Sequence, residues 1–227
     1  MKFDIKDPGL SMDTNRMSDL NRVEFIGIHH TAVGHNQSVQ TIHNFHVNTN
    51  GWIAIGYHYY IEQDGTIYKG RPDNKRGAHI KGENYRSIGV CLAGNFDVQD
   101  IQEDFPDQYK ALVKLLTWLV SKYKAPIKRH TDFDQKTCPG SNFPFDKLLA
   151  DVKKVKEVDE TLSNYFSNYF KDMEKKHEWG AGQVDKLYEE GLISGKSEDE
   201  FAPDEPITRL ECAVLINRLR EYLIDKI

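Results

Sequence analysis

Short apolar runs mark the first part of the chain and predict buried strands. Residues 23–30 and 87–93 are apolar at nearly every position rather than at alternate ones, which is typical of strands covered on both faces. Residues 53–61 and 66–68 flank an Asp-Gly pair, so a hairpin is predicted between them. Residues 126–130 predict one more short strand.

Helical patterns lie between these strands. Residues 38–48 predict a helix that is capped by Ser38 and closed at the Asn-Gly pair of residues 50–51. Residues 106–124 place leucines at spacings of three and four with a proline near the start, the pattern of an amphipathic helix. Strands and helices mixed in this order predict an α/β fold, a mixed central sheet flanked by helices.

The last third of the chain has a helical pattern throughout. Residues 145–176 are rich in Lys and Glu and predict a helical connector, whose apolar stripe packs on the first domain or on a partner helix. The stripe consists of Leu148, Val152, Val155, Val158 and Leu162. Beyond Trp179 two helices are predicted, the second begun by a capping box of Thr208 and Glu211. The predicted parts are a first domain, a connector and a small all-α module, at residues 1–150, 151–176 and 177–227.

Net charge and cysteine content narrow the class of protein. Among 227 residues, 30 Lys and Arg against 35 Asp and Glu give a net charge of -5, which favours neither nucleic acid nor a membrane as a partner. Cys91, Cys138 and Cys212 are too few and too widely spread for a disulfide framework, which favours synthesis in a reducing compartment. The sequence begins without a signal-peptide pattern. We therefore expect synthesis in the cytoplasm and, for a role outside it, release by some other agent.

Two histidines and a cysteine are the strongest candidates for chemistry. His29 ends an apolar run, and Cys138 follows His130 by eight positions, so a loop can curl back and bring both side chains to one ion. Two imidazoles and a thiolate hold tetrahedral zinc and leave its fourth position to water. Such a site lowers the pKa of the water to about 7 and polarises a carbonyl, which predicts hydrolysis of an amide.

Two other interpretations compete with a zinc site. With nine histidines in the chain, some suggestive neighbours arise by chance, and a lone histidine is usually a satisfied core or surface residue. A Cys-His nucleophile pair is the other chemical interpretation, but the Pro139-Gly140 pair favours a turn over the helix N-terminus that lowers the pKa of a catalytic thiol.

Seven short segments resemble those of the type 2 N-acetylmuramoyl-L-alanine amidases, a family that includes phage lysozyme-type amidases and animal peptidoglycan recognition proteins. These segments are residues 28–32, 56–61, 64–71, 77–79, 87–90, 94–96 and 130–140. The resemblance covers about residues 20–150, in order and at the family's spacing. It implies the family's α/β fold and cleavage of the amide between N-acetylmuramic acid and the L-alanine of peptidoglycan.

The resemblance also implies roles for individual residues around the metal. His29, His130 and Cys138 fall at the positions of the zinc ligands, whereas His30 is expected to pack or orient beside them. Tyr57 matches a tyrosine thought to activate or orient the water.

Three further residues of this part fall at positions with expected roles. Lys136 matches a lysine that stabilises the oxyanion, a contribution worth roughly 10² to 10³ in rate for one donor. His79 and Asn84 fall where the family lines its peptide groove, and are therefore expected to bind substrate. Since other members of the family carry a glutamate as proton acceptor, the general base of this chain is left open.

The C-terminal part, about residues 173–222, resembles an S-layer homology module. Such modules are small helix-loop-helix units that bind secondary polysaccharides of Gram-positive cell walls. Arg209 is the expected polar contact. One copy is present where three commonly assemble a binding platform, so self-association into a homo-oligomer is one way to rebuild it. The other interpretation is a helical packing domain without a ligand.

The leading hypothesis is a zinc-dependent amidase of the endolysin type, made in the host cytoplasm and acting on peptidoglycan of Gram-positive walls after release. A peptidoglycan-binding protein without hydrolysis is an alternative, against which the presence of Cys138 speaks. A cytosolic amidase that recycles soluble muropeptides is another, and it gives no reason for a wall-type module.

Overall fold

The chain forms two compact units, residues 1–156 and 157–227, which are described separately. In the computed structural model the described residues are 4–163 and 167–224, with the side chains of 158–163, 175 and 178 left out. No helix within these described ranges combines the length and the apolarity needed to cross a bilayer.

Six strands form one mixed sheet in the first unit. They are β1 (Ile5–Lys6), β2 (Phe25–His30), β3 (Tyr59–Ile61), β4 (Ile67–Lys69), β5 (Ser87–Leu92) and β6 (Ile127–Arg129). Their order across the sheet is β1-β4-β3-β5-β2-β6. Only the β3–β4 hairpin is antiparallel among these neighbours, which confirms the hairpin predicted at the Asp-Gly pair. Every residue of β2 and β5 is buried, as their unbroken apolar runs predict.

The strand predicted over residues 53–61 is shorter than expected, because β3 begins at Tyr59. Side chains bond much of the preceding backbone. The Arg71 guanidinium donates to the Ile55 carbonyl at 2.6 Å, while ring nitrogens of His43 and His46 accept from the amides of Ile55 and Gly56 at 3.3 and 3.2 Å. These groups therefore need no neighbouring strand, and the segment leading to β3 stays irregular.

Four helices accompany this sheet: α1 (Val39–Asn44), continued by a π-helical turn (Phe45–Thr49), α2 (Ile101–Asp104), α3 (Pro106–Tyr123) and α4 (Phe145–Ser163). Ser38 caps α1 by accepting from the Thr41 amide at 3.1 Å, as predicted. The leucines of α3 are buried in one core cluster with Ile26 and Val90 of the sheet. Leu148 and Val152 of α4 belong to the same cluster.

The stripe of α4 thus packs within the first unit rather than on a partner helix, as far as its side chains are described. Val155 is partly buried against the same cluster, whereas the side chains of Val158 and Leu162 lie outside the described residues. The opposite face of the sheet has its own apolar cluster, in which Val39 and Ile42 of α1 join Cys91 of β5. Helices therefore cover both faces of the sheet.

The second unit contains α5 (Glu178–Glu189) and α6 (Arg209–Ile224). Its small core consists of Phe170, Met173 and Ala181. A helix was predicted to continue to about residue 176, but residues 167–174 are not helical, and Phe170 and Met173 lie in this segment. The carboxylate of Asp185 holds that segment, accepting from the hydroxyl of Ser167 and, at 2.8 Å, from the amide of Asn168.

The capping box predicted at the start of α6 is present. The Thr208 amide donates to the Glu211 carboxylate at 2.7 Å, and the Glu211 amide donates to the Thr208 hydroxyl at 3.1 Å. No described residue of α6 is buried. Leu210 is 75% exposed and Ile216 is 62% exposed, so this helix presents apolar side chains to its surroundings.

Candidate active site

The two halves of the predicted site meet at one edge of the sheet. β6 and β2 are parallel neighbours, so their carboxyl ends lie side by side. His29 is the penultimate residue of β2, and His130 directly follows β6. The ends of neighbouring parallel strands are where α/β sheets place their ligands. Strand pairing therefore brings together two imidazoles that are 101 positions apart in sequence.

The loop after His130 returns Cys138 to the same place. The Thr131 amide donates to the Cys138 carbonyl at 2.9 Å, which closes the loop. Asp97 anchors its far side by accepting from the Thr137 hydroxyl at 3.0 Å and from the Ser141 amide at 2.9 Å. The loop that carries the thiol is thus held by a main-chain hydrogen bond on one side and by the Asp97 carboxylate on the other.

The separations of the three side chains suit zinc. The Nδ1 atoms of His29 and His130 lie 3.2 Å apart, and Cys138 Sγ lies 3.7 Å from His29 Nδ1. Tetrahedral zinc, with bonds of about 2.0–2.1 Å to nitrogen and about 2.3 Å to sulfur, requires separations of about 3.3 and about 3.6 Å. All three ligand atoms lie within 4.8 Å of one another. The donor set and its spacing therefore fit the metal.

The charge states of these ligands also suit a cation. Burial lowers the pKa of His29 well below its ordinary value, and burial lowers that of His130 too, so both imidazoles are neutral and can donate a lone pair. Burial raises the pKa of the Cys138 thiol to about 11. A thiolate here needs a nearby cation to offset that burial, which disfavours Cys138 as a free nucleophile.

A cleft of about 500 Å³ opens over the three side chains. Its walls include His29, His30, Ala32, Trp52, Tyr57, Ala78, His79, Asp97, His130, Lys136, Thr137 and Cys138. Most of the predicted first-unit residues are therefore brought to one place. His30 takes part in packing, because its Nδ1 accepts from the Phe96 amide at 3.2 Å.

Tyr57 and Lys136 both border the cleft, from different elements. The Tyr57 ring lies 5.3 Å from the His29 ring, measured between centroids. Burial raises the pKa of the Tyr57 phenol well above its usual value. The Lys136 side chain is 60% exposed, and its ammonium lies 3.2 Å from the Asp134 carboxylate. The same carboxylate lies 3.9 Å from His130 Nε2, so Asp134 links the lysine to a candidate ligand.

The other predicted substrate-binding residues are placed less directly. His79 is buried in the wall of the cleft, with its Nδ1 3.0 Å from His29 Nε2. The Asn84 side chain is absent from the cleft walls and accepts from the amides of His79 and Ile80 at 2.8 and 3.1 Å. Arg209 is the exposed first residue of α6 in the second unit. Substrate binding by these residues stays a prediction.

Two residues of the cleft were not anticipated from the sequence. Trp52 is 38% exposed and stacks on His46, with the ring centroids 4.6 Å apart. Asp97 both borders the cleft and anchors the loop of Cys138. Both residues come from loops, where periodic patterns give no signal. The Asn-Gly turn directly before Trp52 is the only local hint of an exposed position.

The second unit has a separate cavity of about 590 Å³. Its lining combines apolar residues of the loop before α6, such as Phe201 and Ile207, with Leu210 and Val214 of the helix itself. Arg218, Glu205 and Glu211 add charge to the walls. Arg209 does not line this cavity in the described part of the chain.

Comparisons with known proteins agree with this geometry. The family described as N-acetylmuramoyl-L-alanine amidase matches residues 19–141, and the S-layer homology domain matches residues 169–213. An endolysin of Enterobacteria phage T3 is 38% identical over 118 residues, which are 51% of this chain and 78% of the endolysin. Peptidoglycan-recognition protein SC2 of Drosophila melanogaster is 31% identical over 140 residues, 57% of this chain and 74% of that protein.

Solved structures show the same relationship. N-acetylmuramoyl-L-alanine amidase LysC from Clostridium intestinale URNW superimposes with a TM-score of 0.61 at 38% identity, covering 67% of this chain and 99% of that one. The family match spans more than half of the chain and contains the whole candidate site. The chain therefore belongs to the N-acetylmuramoyl-L-alanine amidases and is a peptidoglycan amidase that carries a C-terminal S-layer homology domain.

Proposed function

We propose that this amidase depends on zinc held by His29, His130 and Cys138. The observation that carries the proposal is the spacing of the three donors, 3.2 Å between the imidazole nitrogens and 3.7 Å from nitrogen to sulfur. When bound, zinc in such a site supplies a Lewis acid for a carbonyl and a water of lowered pKa. The bond cleaved is the amide between N-acetylmuramic acid and L-alanine.

Within this proposal Tyr57 and Lys136, which both border the cleft, act on the reacting amide. The Tyr57 phenol is protonated at neutral pH, so it donates a hydrogen bond and does not serve as the general base. Lys136 lies at the rim of the cleft, where its ammonium offsets negative charge that develops on the carbonyl oxygen. The Asp134 carboxylate holds the ammonium at that rim.

A digestion of purified Gram-positive walls tests the zinc proposal. The full chain is incubated with zinc, and new L-alanine N-termini are counted before and after treatment with a chelator. We expect these termini to appear with zinc, to stop with the chelator, and to return when zinc is restored. Full activity in the chelated protein would exclude zinc dependence. Wall binding without any new termini would instead favour the non-catalytic alternative.

We also propose that the second unit targets the enzyme to a secondary polysaccharide of Gram-positive walls. The match of residues 169–213 to the S-layer homology domain supports this, and Arg209 is the polar contact that we assign. The guanidinium is exposed at the start of α6, where it can meet an anionic sugar substituent.

Cosedimentation with walls tests the targeting proposal. We expect Arg209→Ala to reduce the pelleted fraction of the full chain, and Arg220→Ala, which alters an exposed arginine of the same helix, to leave it unchanged. Walls stripped of secondary polysaccharide are expected to pellet less of the native chain. If stripped and intact walls pelleted equal fractions of the native chain, peptidoglycan alone would be recognised.

Self-association through α6 is part of the same proposal. Its exposed apolar side chains include Leu210, Val214, Ile216, Leu219 and Leu223. A row of this kind is stabilised when a second copy covers it. Sedimentation equilibrium is expected to show an oligomer of the native chain and a monomer of the Leu210→Glu variant. A native chain that is monomeric at all concentrations would refute self-association.

The relatives named endolysins suggest the biological setting. We propose that the protein is made in the cytoplasm of a phage-infected host and acts on the wall after release. Fractionation of expressing cells is expected to find it with the cytoplasm until the membrane is permeabilised. Recovery from the medium of intact cells would contradict this.

A further inference from the structure

A chain of hydrogen bonds links Ser87 to His29 through His79, which borders the cleft. It begins at Ser87, whose hydroxyl donates to the Glu83 carbonyl at 2.9 Å. Because this bond uses the only proton of the hydroxyl, the Ser87 oxygen can only accept from His79 Nε2, which lies 3.2 Å away. The neutral imidazole of His79 therefore carries its proton on Nε2 and a lone pair on Nδ1.

That lone pair faces His29. His79 Nδ1 and His29 Nε2 lie 3.0 Å apart, so the proton between them belongs to His29 Nε2. The remaining nitrogen of His29, Nδ1, is then left with a lone pair. This is the atom that lies near His130 Nδ1 and Cys138 Sγ. The order of donors from Ser87 to His29 thus selects one tautomer of the candidate ligand.

The position of the His79 ring is fixed by the glycines around it. Gly27 of β2 pairs with Gly89 of β5, and the ring lies over this pair. A Cβ atom on Gly89 would approach His79 Cδ2 to 2.6 Å, and one on Gly77 would also collide with the ring. Asn84 holds the His79 amide from the other side. The imidazole therefore occupies space that exists only because these positions are glycines, and a side chain at Gly77 or Gly89 would fill it.

We propose that His79 is a positioning residue for the metal site, which fixes the tautomer and the orientation of His29 so that its Nδ1 lone pair points to the ion. The inference rests on the proposed zinc site. It adds a residue that does not bind the metal itself but orients one of the ligands. Outer partners of this kind typically contribute 10- to 100-fold in metal affinity. Asn84 and Ser87 act indirectly, because they hold His79 in place and are not themselves hydrogen-bonded to His29.

Zinc affinity, measured on the full chain by competition with a chromogenic chelator, tests this role without using activity. We expect His79→Leu, which removes the acceptor, to weaken zinc binding about 10- to 100-fold. His79→Asn places an amide oxygen close to the position of Nδ1 and is expected to restore most of the affinity. His35→Leu, a change at an exposed histidine, is the matched control and should bind zinc like the native chain.

Two further measurements separate positioning from a merely structural role. Cobalt-substituted protein reports ligand geometry by its visible absorption, and we expect His79→Leu to alter the band and His79→Asn to preserve it. Ser87→Ala removes the hydroxyl that accepts from His79 Nε2 without touching the ring, and it gives a result even if His79→Leu fails to fold. We expect it to weaken zinc binding by less than His79→Leu, because the Ser87 main chain also bonds His79. Unfolding by urea in excess chelator gives the stability of each variant without the metal.

The outcomes are distinct. A native chain that binds no zinc overturns both the zinc proposal and this inference. A native chain that binds zinc, together with His79→Leu and Ser87→Ala variants of equal affinity, overturns the inference alone and leaves the zinc site standing.

Discussion

The backbone amide of Thr131 donates to the carbonyl of Cys138 across 2.9 Å, which ties together the two ends of the loop between the candidate ligands His130 and Cys138. This bond involves no side chain of either residue. The loop is therefore expected to keep its shape when the thiol is replaced, so a change at Cys138 tests the ligand rather than the fold.

Cys138→Ser is expected to abolish turnover and to lower zinc affinity, because a hydroxyl is a much poorer zinc ligand than a thiolate. Zinc content after dialysis and release of L-alanine N-termini measure the two effects. Cys212→Ser, at an exposed cysteine of the second unit, is the matched control and should change neither. A Cys138→Ser protein with native zinc content would remove the thiol from the ligand set.

Lys136→Ala is expected to retain zinc and to lose rate, by roughly 10² to 10³ in kcat, because its ammonium offsets charge that develops only during reaction. Turnover of a soluble muropeptide and zinc content should be measured on the same preparation. Lys128→Ala, at an exposed lysine of β6, provides the control. A Lys136→Ala enzyme of full activity would refute the oxyanion role.

Stability should fall on acidification between about pH 6.5 and 4. Burial lowers the pKa values of His46 and His58 to about 4, and each ring nitrogen Nδ1 accepts a backbone hydrogen bond that protonation would remove. The folded pKa lies below the unfolded value of 6.5, so the stabilisation is complete above pH 6.5 and is lost as the pH falls. Each residue contributes roughly 3 kcal/mol by this linkage.

Urea unfolding at several pH values, in excess chelator, measures this effect. In the variant His58→Asn an amide oxygen can accept from the Gly89 amide but does not titrate. Its stability should therefore depend less steeply on pH over the same interval. Identical slopes for the variant and the native chain would show that His58 does not control acid sensitivity.

Trp52→Ala is expected to weaken substrate binding. The indole is 38% exposed at the wall of the cleft and is oriented by its stack on His46. Loss of one such aromatic contact costs roughly 1 kcal/mol, about fivefold in KM. Kinetics on a soluble muropeptide measure it, with Trp179→Ala, an exposed tryptophan of the second unit, as control. A lowered kcat at unchanged KM would contradict a binding role.

Much of the local structure could be predicted from the sequence alone. Unbroken apolar runs predicted β2 and β5, an Asp-Gly pair predicted the hairpin, and Ser38 and Thr208 were correctly assigned as caps. These features depend on neighbours within a few positions, and such short-range preferences can be read directly. The candidate ligands were also found, because a motif preserves residue types at fixed spacing.

The tertiary structure decided what depends on contacts between distant segments. Residues 53–58 are irregular because His43, His46 and Arg71 bond their backbone from elsewhere in the chain. The predicted helical connector is not helical at residues 167–174, where Phe170 is buried in the core of the second unit.

His79 shows the same division most clearly. Its sequence position predicted a place in the substrate groove, which stays a prediction. The structure adds that the pairing of Gly27 with Gly89 leaves room for its ring beside His29. The sequence by itself determined which side chains are candidates to bind a metal and which local elements carry them. Only the tertiary contacts of His29 with His79 and His130, which are 50 and 101 positions away in sequence, decided which nitrogen of His29 faces each partner.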